Sequence, residues 1–298
     1  MIVGIDVGGR FIKAGGVEKG KIRKREKIRT PHKPEELINL LSGLVEQING
    51  NPVGIGFPGL VNPCEGIVLN PPNFPFIDKL EVKKEIEKRT GREVWVGNDA
   101  TLYALGEACY GRGKGKKVVC VFTLGTGIGG GIVIDGKPYM GVHGYAGEVG
   151  HLTIDTDGPV CGCGNRGCVE SYAGADRMVE RARSLGLQVE TPEDISKLVM
   201  EGEERARRVF EEMGRYIGTG VAGVILLFDP DIVIIGGGVS KAGRILIDAI
   251  REEAERRVYL PSVPPIEPAI LGDDAGILGA AKFAELRGER ALHPRSLL

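Results

Sequence analysis

Residues 118–137 read VVCVFTLGTGIGGGIVIDGK, and they follow the same plan as residues 2–21, IVGIDVGGRFIKAGGVEKGK. Each stretch has a short apolar run, a glycine turn, a second glycine-rich apolar run and a turn that ends in Gly-Lys. Short apolar runs bounded by glycine turns are typical of β-strands, so each stretch is predicted to form a β-hairpin. The repeat indicates a duplicated α/β domain with a cleft between its two halves.

The remaining segments alternate between helical and extended patterns. Residues 34–48 begin with Pro and Glu and carry leucines at helical spacing, which predicts a helix. Further helices are expected at residues 82–89, 99–110, 242–258 and 275–287, and strands at 53–57, 93–96 and 231–235. We therefore predict a smaller N-terminal α/β domain over residues 1–111, joined by a C-terminal helix at 281–298. A larger α/β domain over residues 112–280 would contain the cysteine-rich loop 151–170 and the glycine turns at 125–127 and 236–238.

The composition fits a soluble globular protein. The chain has 298 residues, of which 42% are hydrophobic and 27% charged, and this length allows two domains. Its net charge of −1 provides no general attraction to nucleic acid or to an anionic membrane. Because the N-terminus lacks a basic leader and no apolar run reaches membrane-spanning length, we expect a cytoplasmic protein without membrane or nucleic-acid partners.

The glycine turn Gly125-Thr126-Gly127 belongs to a segment that matches the dinucleotide-binding pattern GxGxxG. That pattern requires a helix directly afterwards, whereas residues 131–134 have the character of a strand, so the dinucleotide interpretation is rejected. Glycine turns between strands also hold phosphate, because their backbone N–H groups converge on an anion. One such turn is more simply a tight hairpin, but its repetition near Gly8 and Gly9 favours phosphate binding. At Gly236-Gly237-Gly238, close packing and approach of a nucleotide are equally good interpretations.

Three cysteines are crowded into one short loop. Cys161, Cys163 and Cys168 lie ten to seventeen residues after His151. Three thiolates and one imidazole form the closed tetrahedral ligand set of structural zinc, so we predict a Zn²⁺ site here. The alternative is a cluster of free thiols on an exposed loop.

Two carboxylates flank these ligands, since Glu148 precedes His151 by three residues and Glu170 follows Cys168 by two. A bound metal would fix both side chains, and carboxylates accept strong hydrogen bonds from sugar hydroxyls. Taken singly, either residue reads as a solvated surface acid.

Two further acids follow predicted strands. Asn98 and Asp99 end a strand and open a helix, which is the usual place for a helix N-cap. The same place presents a carboxylate at the carboxyl end of a strand, beside the expected cleft, where it could also serve as a catalytic base. Asp6 ends the first strand, where it would either orient a Mg²⁺-bound water or close the turn.

These motifs together resemble the ROK family. The resemblance covers nearly the whole chain and rests on residues 6–9, 70–73, 98–100, 124–127, 147–151, 161–170 and 236–238. It implies duplicated actin/hexokinase-like (ribonuclease H-like) α/β domains, a function as a sugar kinase or a sugar-responsive repressor, and a homodimer. This chain departs from the family at Arg10, where a threonine is usual, which puts the phosphate contacts in question.

The resemblance also implies a role for each matching residue. Asp99 would be the catalytic base, and Asn73, Asn98, Glu148, His151 and Glu170 would bind the sugar hydroxyls. ATP with Mg²⁺ would contact Asp6, Gly8, Gly9, Arg10, Gly125, Thr126 and Gly127 through its phosphates and Gly236, Gly237 and Gly238 on the adenosine side.

We therefore expect transfer of the ATP γ-phosphoryl group to a hexose, with O6 of glucose as the first candidate acceptor. N-acetylmannosamine or N-acetylglucosamine is the alternative acceptor, and a sugar sensor without catalysis is the alternative of another class. A repressor needs a helix-turn-helix for DNA, and we expect none, because the first glycine turn begins at residue 7.

Overall fold

The computed structural model describes residues 1–71, 74–75, 77–238 and 244–287. Its strands are β1 (Ile2–Val7), β2 (Phe11–Glu18), β3 (Lys21–Arg29), β4 (Val53–Phe57), β5 (Leu60–Asn62), β6 (Ile67–Leu69), β7 (Lys79–Leu80), β8 (Val94–Asn98), β9 (Val118–Leu124), β10 (Ile128–Ile134), β11 (Lys137–Tyr139), β12 (Ile232–Gly236) and β13 (Ile266–Pro268). Its helices are α1 (Pro34–Ile48), α2 (Val82–Thr90), α3 (Asp99–Tyr110), α4 (Val169–Ala173), α5 (Ala175–Ser184), α6 (Pro192–Met200), α7 (Glu204–Phe228), α8 (Arg244–Arg257) and α9 (Asp274–Arg287). The helix predicted at residues 34–48 is confirmed with the same bounds.

Two five-stranded sheets share one topology. The first has the strand order β3-β2-β1-β4-β8 and the second the order β11-β10-β9-β12-β13. β1 is the central strand of the first sheet, and β9 is the central strand of the second. Each has its hairpin partner on one side and two later strands on the other. β1 is antiparallel to β2 and parallel to β4, and β12 is parallel to both β9 and β13. The duplication predicted from the repeated hairpin is therefore present in the fold.

The chain divides into two compact units. Unit 1 comprises Met1–Gly115, Gly131–Gly147 and Leu271–Leu298. The last of these segments is described up to residue 287. Unit 2 comprises Lys116–Gly130 and Glu148–Ile270. The domain boundaries expected at residues 111 and 280 stay predictions, and the part of the expected C-terminal helix beyond residue 287 lies outside the described residues.

In unit 1, helix α9 packs directly on the backbone of the sheet. A Cβ atom at Gly4 of β1 would overlap the carbonyl of Ile277, and one at Gly54 of β4 would overlap the carbonyl of Ala280. Glycine at these positions lets the helix approach more closely than a side chain would allow. The first turn of α9 consequently lies against Asp6, since a Cβ at Gly276 would overlap that carboxyl group.

In unit 2, the 25-residue helix α7 packs along α8. Gly214 and Gly218 face Ala249 and Ile250, so small residues set the close approach of the two helices. α7 is amphipathic, and among the described helices none is both long and apolar enough to cross a membrane.

Candidate functional site

Four potential metal ligands meet in unit 2. The ligand atoms of His151, Cys161, Cys163 and Cys168 all lie within 4.8 Å of one another. Cys161 Sγ is 3.6 Å from His151 Nδ1, and Cys163 Sγ is 3.8 Å from Cys168 Sγ. In a tetrahedral zinc site with ordinary bond lengths, the S···N edge is about 3.6 Å and the S···S edge about 3.8 Å. The ligand set therefore fits Zn²⁺ in its chemistry, and these two distances fit the edges of a tetrahedral site.

Backbone contacts hold the loop that carries these cysteines. Thr153 pairs with Cys168 in an isolated β-bridge. Gly167 has a φ of 66°, and a Cβ at this position would overlap the carbonyl of Asp155. Only glycine combines this left-handed conformation with such a close approach, so the loop can bring Cys168 towards the other ligands.

Burial affects the thiols of the cluster. It raises the pKa of Cys168 to about 12 and also raises the pKa of Cys161, whereas a backbone hydrogen bond from Asn165 lowers the pKa of the exposed Cys163. Because the thiolate is the form that binds a metal, a cation has to displace protons from the buried thiols.

The ring of His151 faces two different partners. Its Nδ1 is directed towards Cys161, while its Nε2 lies 3.9 Å from Glu148 Oε2. A histidine that binds metal through one nitrogen commonly faces a carboxylate with the other. Partial burial raises the pKa of Glu148, although its side chain stays 41% exposed; His151 opposes this shift and the charge of Glu170 reinforces it. Nδ1 is thus the ring nitrogen on the side of the cysteines, and Nε2 is the nitrogen left for the predicted contact of His151 with a sugar.

Glu170 contacts the second glycine turn. Its Oε2 accepts a hydrogen bond from the backbone N–H of Ile128 at 2.8 Å, directly after Gly125-Thr126-Gly127. A Cβ at Gly127 would overlap this oxygen. The other oxygen, Oε1, lies 3.7 Å from Cys161 Sγ. Sequence reasoning placed Glu170 near the metal and the sugar but missed its contact with the turn.

The glycines after β12 form a close-packing turn. Gly237 has a φ of 88°, and a Cβ there would overlap the backbone of Leu124, the last residue of β9. Gly236 is buried at the end of the strand, and Gly238 is exposed. The packing interpretation of this segment is confirmed, while its contact with a nucleotide stays a prediction.

In unit 1, the first glycine turn is tied to the end of β3. Thr30 Oγ1 donates to the carbonyl of Gly8 at 2.7 Å, and the Thr30 N–H donates to the carbonyl of Arg10 at 3.1 Å. The adjacent Gly9 is partly buried, and the side chain of Arg10 is exposed to solvent. The Arg10 guanidinium takes part in neither of these two hydrogen bonds.

Asp6 is paired with Lys13, a residue that sequence reasoning left out of the site. Lys13 Nζ lies 3.5 Å from Asp6 Oδ2 and 3.2 Å from Asp273 Oδ1. Burial raises the pKa of Asp6, although Lys13 opposes the shift. The register of the first hairpin places Asp6 directly opposite Lys13, so the hairpin spacing is the signal that could have identified this pair.

Asn98 and Asp99 stand where β8 becomes α3. Asn98 Oδ1 accepts from the Thr101 N–H at 3.0 Å, and its Nδ2 donates to the carbonyl of Gly59 at 3.1 Å. The N-cap interpretation is therefore confirmed for Asn98. Asp99 is half-buried, and its Oδ1 accepts from the N–H of Ala100 at 2.9 Å. Asn73, the other predicted sugar ligand from this part of the chain, lies outside the described residues.

The predicted site residues divide between the two units. Unit 1 holds Asp6, Gly8, Gly9, Arg10, Asn98 and Asp99. Unit 2 holds Gly125, Thr126, Gly127, Glu148, His151, Cys161, Cys163, Cys168, Glu170, Gly236, Gly237 and Gly238. Within unit 2 the structure joins the metal ligands, both carboxylates and the second glycine turn through the contacts described above.

Comparison with known proteins gives several relatives over nearly the full chain. The glucokinase of Streptomyces coelicolor is 36% identical over 95% of this chain and 97% of its own length. The N-acetyl-D-glucosamine kinase of Histophilus somni is 32% identical, covering 94% of this chain and 98% of its own. The xylose repressor of Bacillus subtilis is 30% identical, covering 94% of this chain and 76% of its own.

A solved structure has the same fold as this chain. The ROK family glucokinase from Streptomyces griseus, in complex with glucose and AMPPNP, superposes with a TM-score of 0.84 at 34% identity, over 96% of this chain and 99% of its own. The actin/hexokinase-type α/β fold is thereby confirmed. The sequence profile of the ROK family matches residues 2–287. This chain belongs to the ROK family.

Proposed function

We propose that this protein transfers the γ-phosphoryl group of ATP to a hexose, with O6 of glucose as the acceptor. Family membership and the glucokinase relatives support a sugar kinase. The observation that carries the proposal is the placement of Asp99, a half-buried carboxylate at the carboxyl end of β8. Its neighbour Asn98 fixes this position by capping the same helix.

In the proposed reaction, Asp99 accepts the proton of the sugar hydroxyl while the hydroxyl oxygen attacks the γ-phosphorus. A new P–O bond joins the sugar to the phosphoryl group. The bond between the γ-phosphorus and the oxygen that bridges it to the β-phosphate breaks, and ADP leaves with that electron pair. The proton stays on the Asp99 carboxyl group until solvent removes it.

The sugar is bound, in this proposal, by residues that are already held in place. Glu148, His151 and Glu170 lie at or beside the Cys/His cluster and would accept or donate hydrogen bonds to sugar hydroxyls. Asn98, and Asn73 outside the described residues, would do the same from unit 1. A Zn²⁺ ion in the cluster would stabilise the loop, because a site with four protein ligands keeps no open position for catalysis.

The nucleotide is assigned to the glycine turns. Backbone N–H groups at Gly8-Gly9 and at Gly125-Thr126-Gly127 would face the phosphates, and Gly236–Gly238 the adenosine. Mg²⁺ bound with ATP would neutralise charge on the phosphates, and Asp6 is the carboxylate suited to hold its water. Arg10, exposed beside the first turn, has the reach to contact a phosphate.

Two other functions have support among the relatives. A kinase for N-acetylglucosamine or N-acetylmannosamine is favoured by the Histophilus somni relative, and a non-catalytic sugar sensor by the xylose repressor. The Asn98-Asp99 pair favours a kinase over the sensor, because a sensor needs no catalytic base. A homodimer and a cytoplasmic location stay predictions from the sequence.

A coupled assay over a panel of hexoses and N-acetylhexosamines, with ATP, ADP and polyphosphate as donors, tests the proposal. We expect the highest kcat/KM with glucose and ATP, and loss of turnover in Asp99→Asn with glucose binding largely retained. Asp135→Asn is the matched control, because Asp135 is exposed at a turn of the same unit. Turnover that persists in Asp99→Asn contradicts the role of Asp99, and no turnover with any sugar favours the sensor.

A further inference from the structure

The side chain of Glu170 contacts two features of unit 2 at once. Oε2 accepts from the Ile128 N–H at 2.8 Å, and Oε1 lies 3.7 Å from Cys161 Sγ. One carboxylate therefore stands between the Cys/His cluster and the end of the second glycine turn.

The turn is built around this carboxylate. Gly127 leaves room for Oε2, which a Cβ would overlap, and the Gly125 N–H donates to the Gly127 carbonyl at 2.9 Å. The carboxylate orients the peptide between Gly127 and Ile128, which leads from the turn into β10. A charge-assisted hydrogen bond to a backbone N–H is stronger than a neutral one, so it restrains the peptides beside it.

The cluster in turn fixes the carboxylate. Cys168 is both a member of the Cys/His cluster and the N-cap residue that precedes α4, and Glu170 follows it by two positions in the first turn of that helix. Anchoring Cys168 therefore anchors the backbone from which Glu170 reaches Ile128.

We infer that Glu170 is a positioning residue for the glycine turn Gly125-Thr126-Gly127 and that it links the order of this turn to the metal-binding loop. The inference builds on the proposed function, in which the turn holds phosphates of ATP. It gives Glu170 a role on the nucleotide side in addition to its proposed contact with the sugar, since a carboxylate has lone pairs for both.

Three variants of Glu170 separate these roles. Glu170→Ala removes the acceptor, Glu170→Asp keeps the charge but shortens its reach to Ile128, and Glu170→Gln keeps an oxygen that can accept from the same N–H. We expect Ala and Asp to weaken AMPPNP binding, measured by calorimetry, roughly tenfold, the equivalent of one charge-assisted hydrogen bond. Gln should stay within about threefold of the wild type, because a neutral acceptor recovers about half of that energy.

Hydrogen exchange provides a readout that does not depend on activity. Amides of residues 125–130 should exchange faster in Glu170→Ala and in Glu170→Asp than in the wild type. They should also exchange faster in wild-type protein from which a chelator has removed the metal. Exchange in Glu170→Gln should match the wild type. Metal content should stay unchanged in all three variants. Glu180→Ala is the control, because Glu180 lies in the same unit and forms an exposed ion pair with Arg177.

The inference is overturned if Glu170→Ala and Glu170→Asp bind glucose more weakly but leave AMPPNP affinity and exchange of residues 125–130 unchanged. If the wild type binds no nucleotide, the proposed function fails, but hydrogen exchange still tests the inference. Unchanged exchange of residues 125–130 in these variants or in the metal-free protein would overturn the link between Glu170, the loop and the turn.

Discussion

Lys13 Nζ lies 3.5 Å from Asp6 Oδ2, across the register of the first hairpin. Burial raises the pKa of Asp6, and the charge of Lys13 and its hydrogen bond to the carboxyl group oppose that shift. Lys13 therefore keeps a buried carboxyl group ionised at lower pH than it otherwise would. If Asp6 acts as an anion near Mg²⁺ and ATP, this pairing helps to set the acid limit of activity.

Replacing Lys13 tests that limit. Lys13→Met removes the positive charge but keeps most of the side-chain volume, so the pKa of Asp6 should rise further. We expect the acid limb of the pH profile of kcat/KM for ATP to move to higher pH, with loss of activity at pH values where the wild type is still active.

Lys27→Met is the matched control for this prediction. Lys27 Nζ lies 3.6 Å from Asp273 Oδ2, and its side chain is half exposed. Its profile should match the wild type. An acid limb that does not move in Lys13→Met would show that Lys13 does not control the ionisation of a group needed for turnover.

Asn98 combines a confirmed N-cap with a proposed contact to the sugar. Asn98→Ala removes the acceptor for the Thr101 N–H and should cost about 1 kcal/mol of unfolding free energy, whereas Asn98→Ser retains a capping oxygen and should cost less. Both variants should raise the KM for glucose, because neither carries the amide.

Thermal unfolding and steady-state kinetics separate the two roles of Asn98. A normal KM in Asn98→Ser together with reduced stability in Asn98→Ala would mean that Asn98 is a cap and nothing more.

The exposed Cys163 gives a clean test of the metal site. Cys163→Ser removes one ligand at the surface and leaves no buried cavity, so its effects report on the metal. We expect the wild type to contain about one zinc per chain, as a closed four-ligand site binds a single ion. The variant should lose most of it, and its melting temperature should fall by several degrees, because a ligand that binds only the folded state stabilises that state.

Cys109→Ser is the control for the metal site, since Cys109 lies outside the cluster, with its Sγ 3.8 Å from the carbonyl of Gly136. Metal analysis and calorimetry are the measurements. Equal zinc in Cys163→Ser and the wild type would refute the ligand assignment.

A buried carboxylate away from the site predicts the behaviour of the protein in acid. Glu253 is 5% exposed and forms a paired contact with Arg256 at 2.7 and 2.9 Å. These hydrogen bonds, together with the charges of Arg256 and Arg257, lower its pKa to about 2 from an ordinary value of 4.5. The stabilisation is therefore complete above pH 4.5 and is lost as the pH falls towards 2.

Glu253→Gln should lower the free energy of unfolding at neutral pH by about 1.5–3 kcal/mol, the usual contribution of hydrogen bonds to a charged group. Its stability should also fall less steeply than that of the wild type between pH 4.5 and 2. Urea unfolding across this pH range measures both effects, and Glu252→Gln on the exposed side of α8 is the control. Parallel acid limbs for wild type and Glu253→Gln would contradict the assignment.

Much of the fold was accessible from local patterns. Leucine periodicity predicted α1 with its observed bounds, and the repeated glycine hairpin predicted the duplication that appears as two sheets of the same strand order. Asn98 was recognised as an N-cap because capping depends on residues three apart in the chain. Helix α9 is different, since only the structure places it against Gly4 and Gly54, far away in sequence.

Local spacing was enough to predict the four members of the Cys/His cluster, because they are near neighbours in the chain and their chemistry is specific. The hydrogen bond between Glu170 and Ile128, 42 residues apart, and the position of α9 over the sheet that carries Asp6 could be found only from the packed structure. Spacing and periodicity report on residues within a turn or a hairpin, whereas contacts between distant segments depend on how whole helices and strands pack.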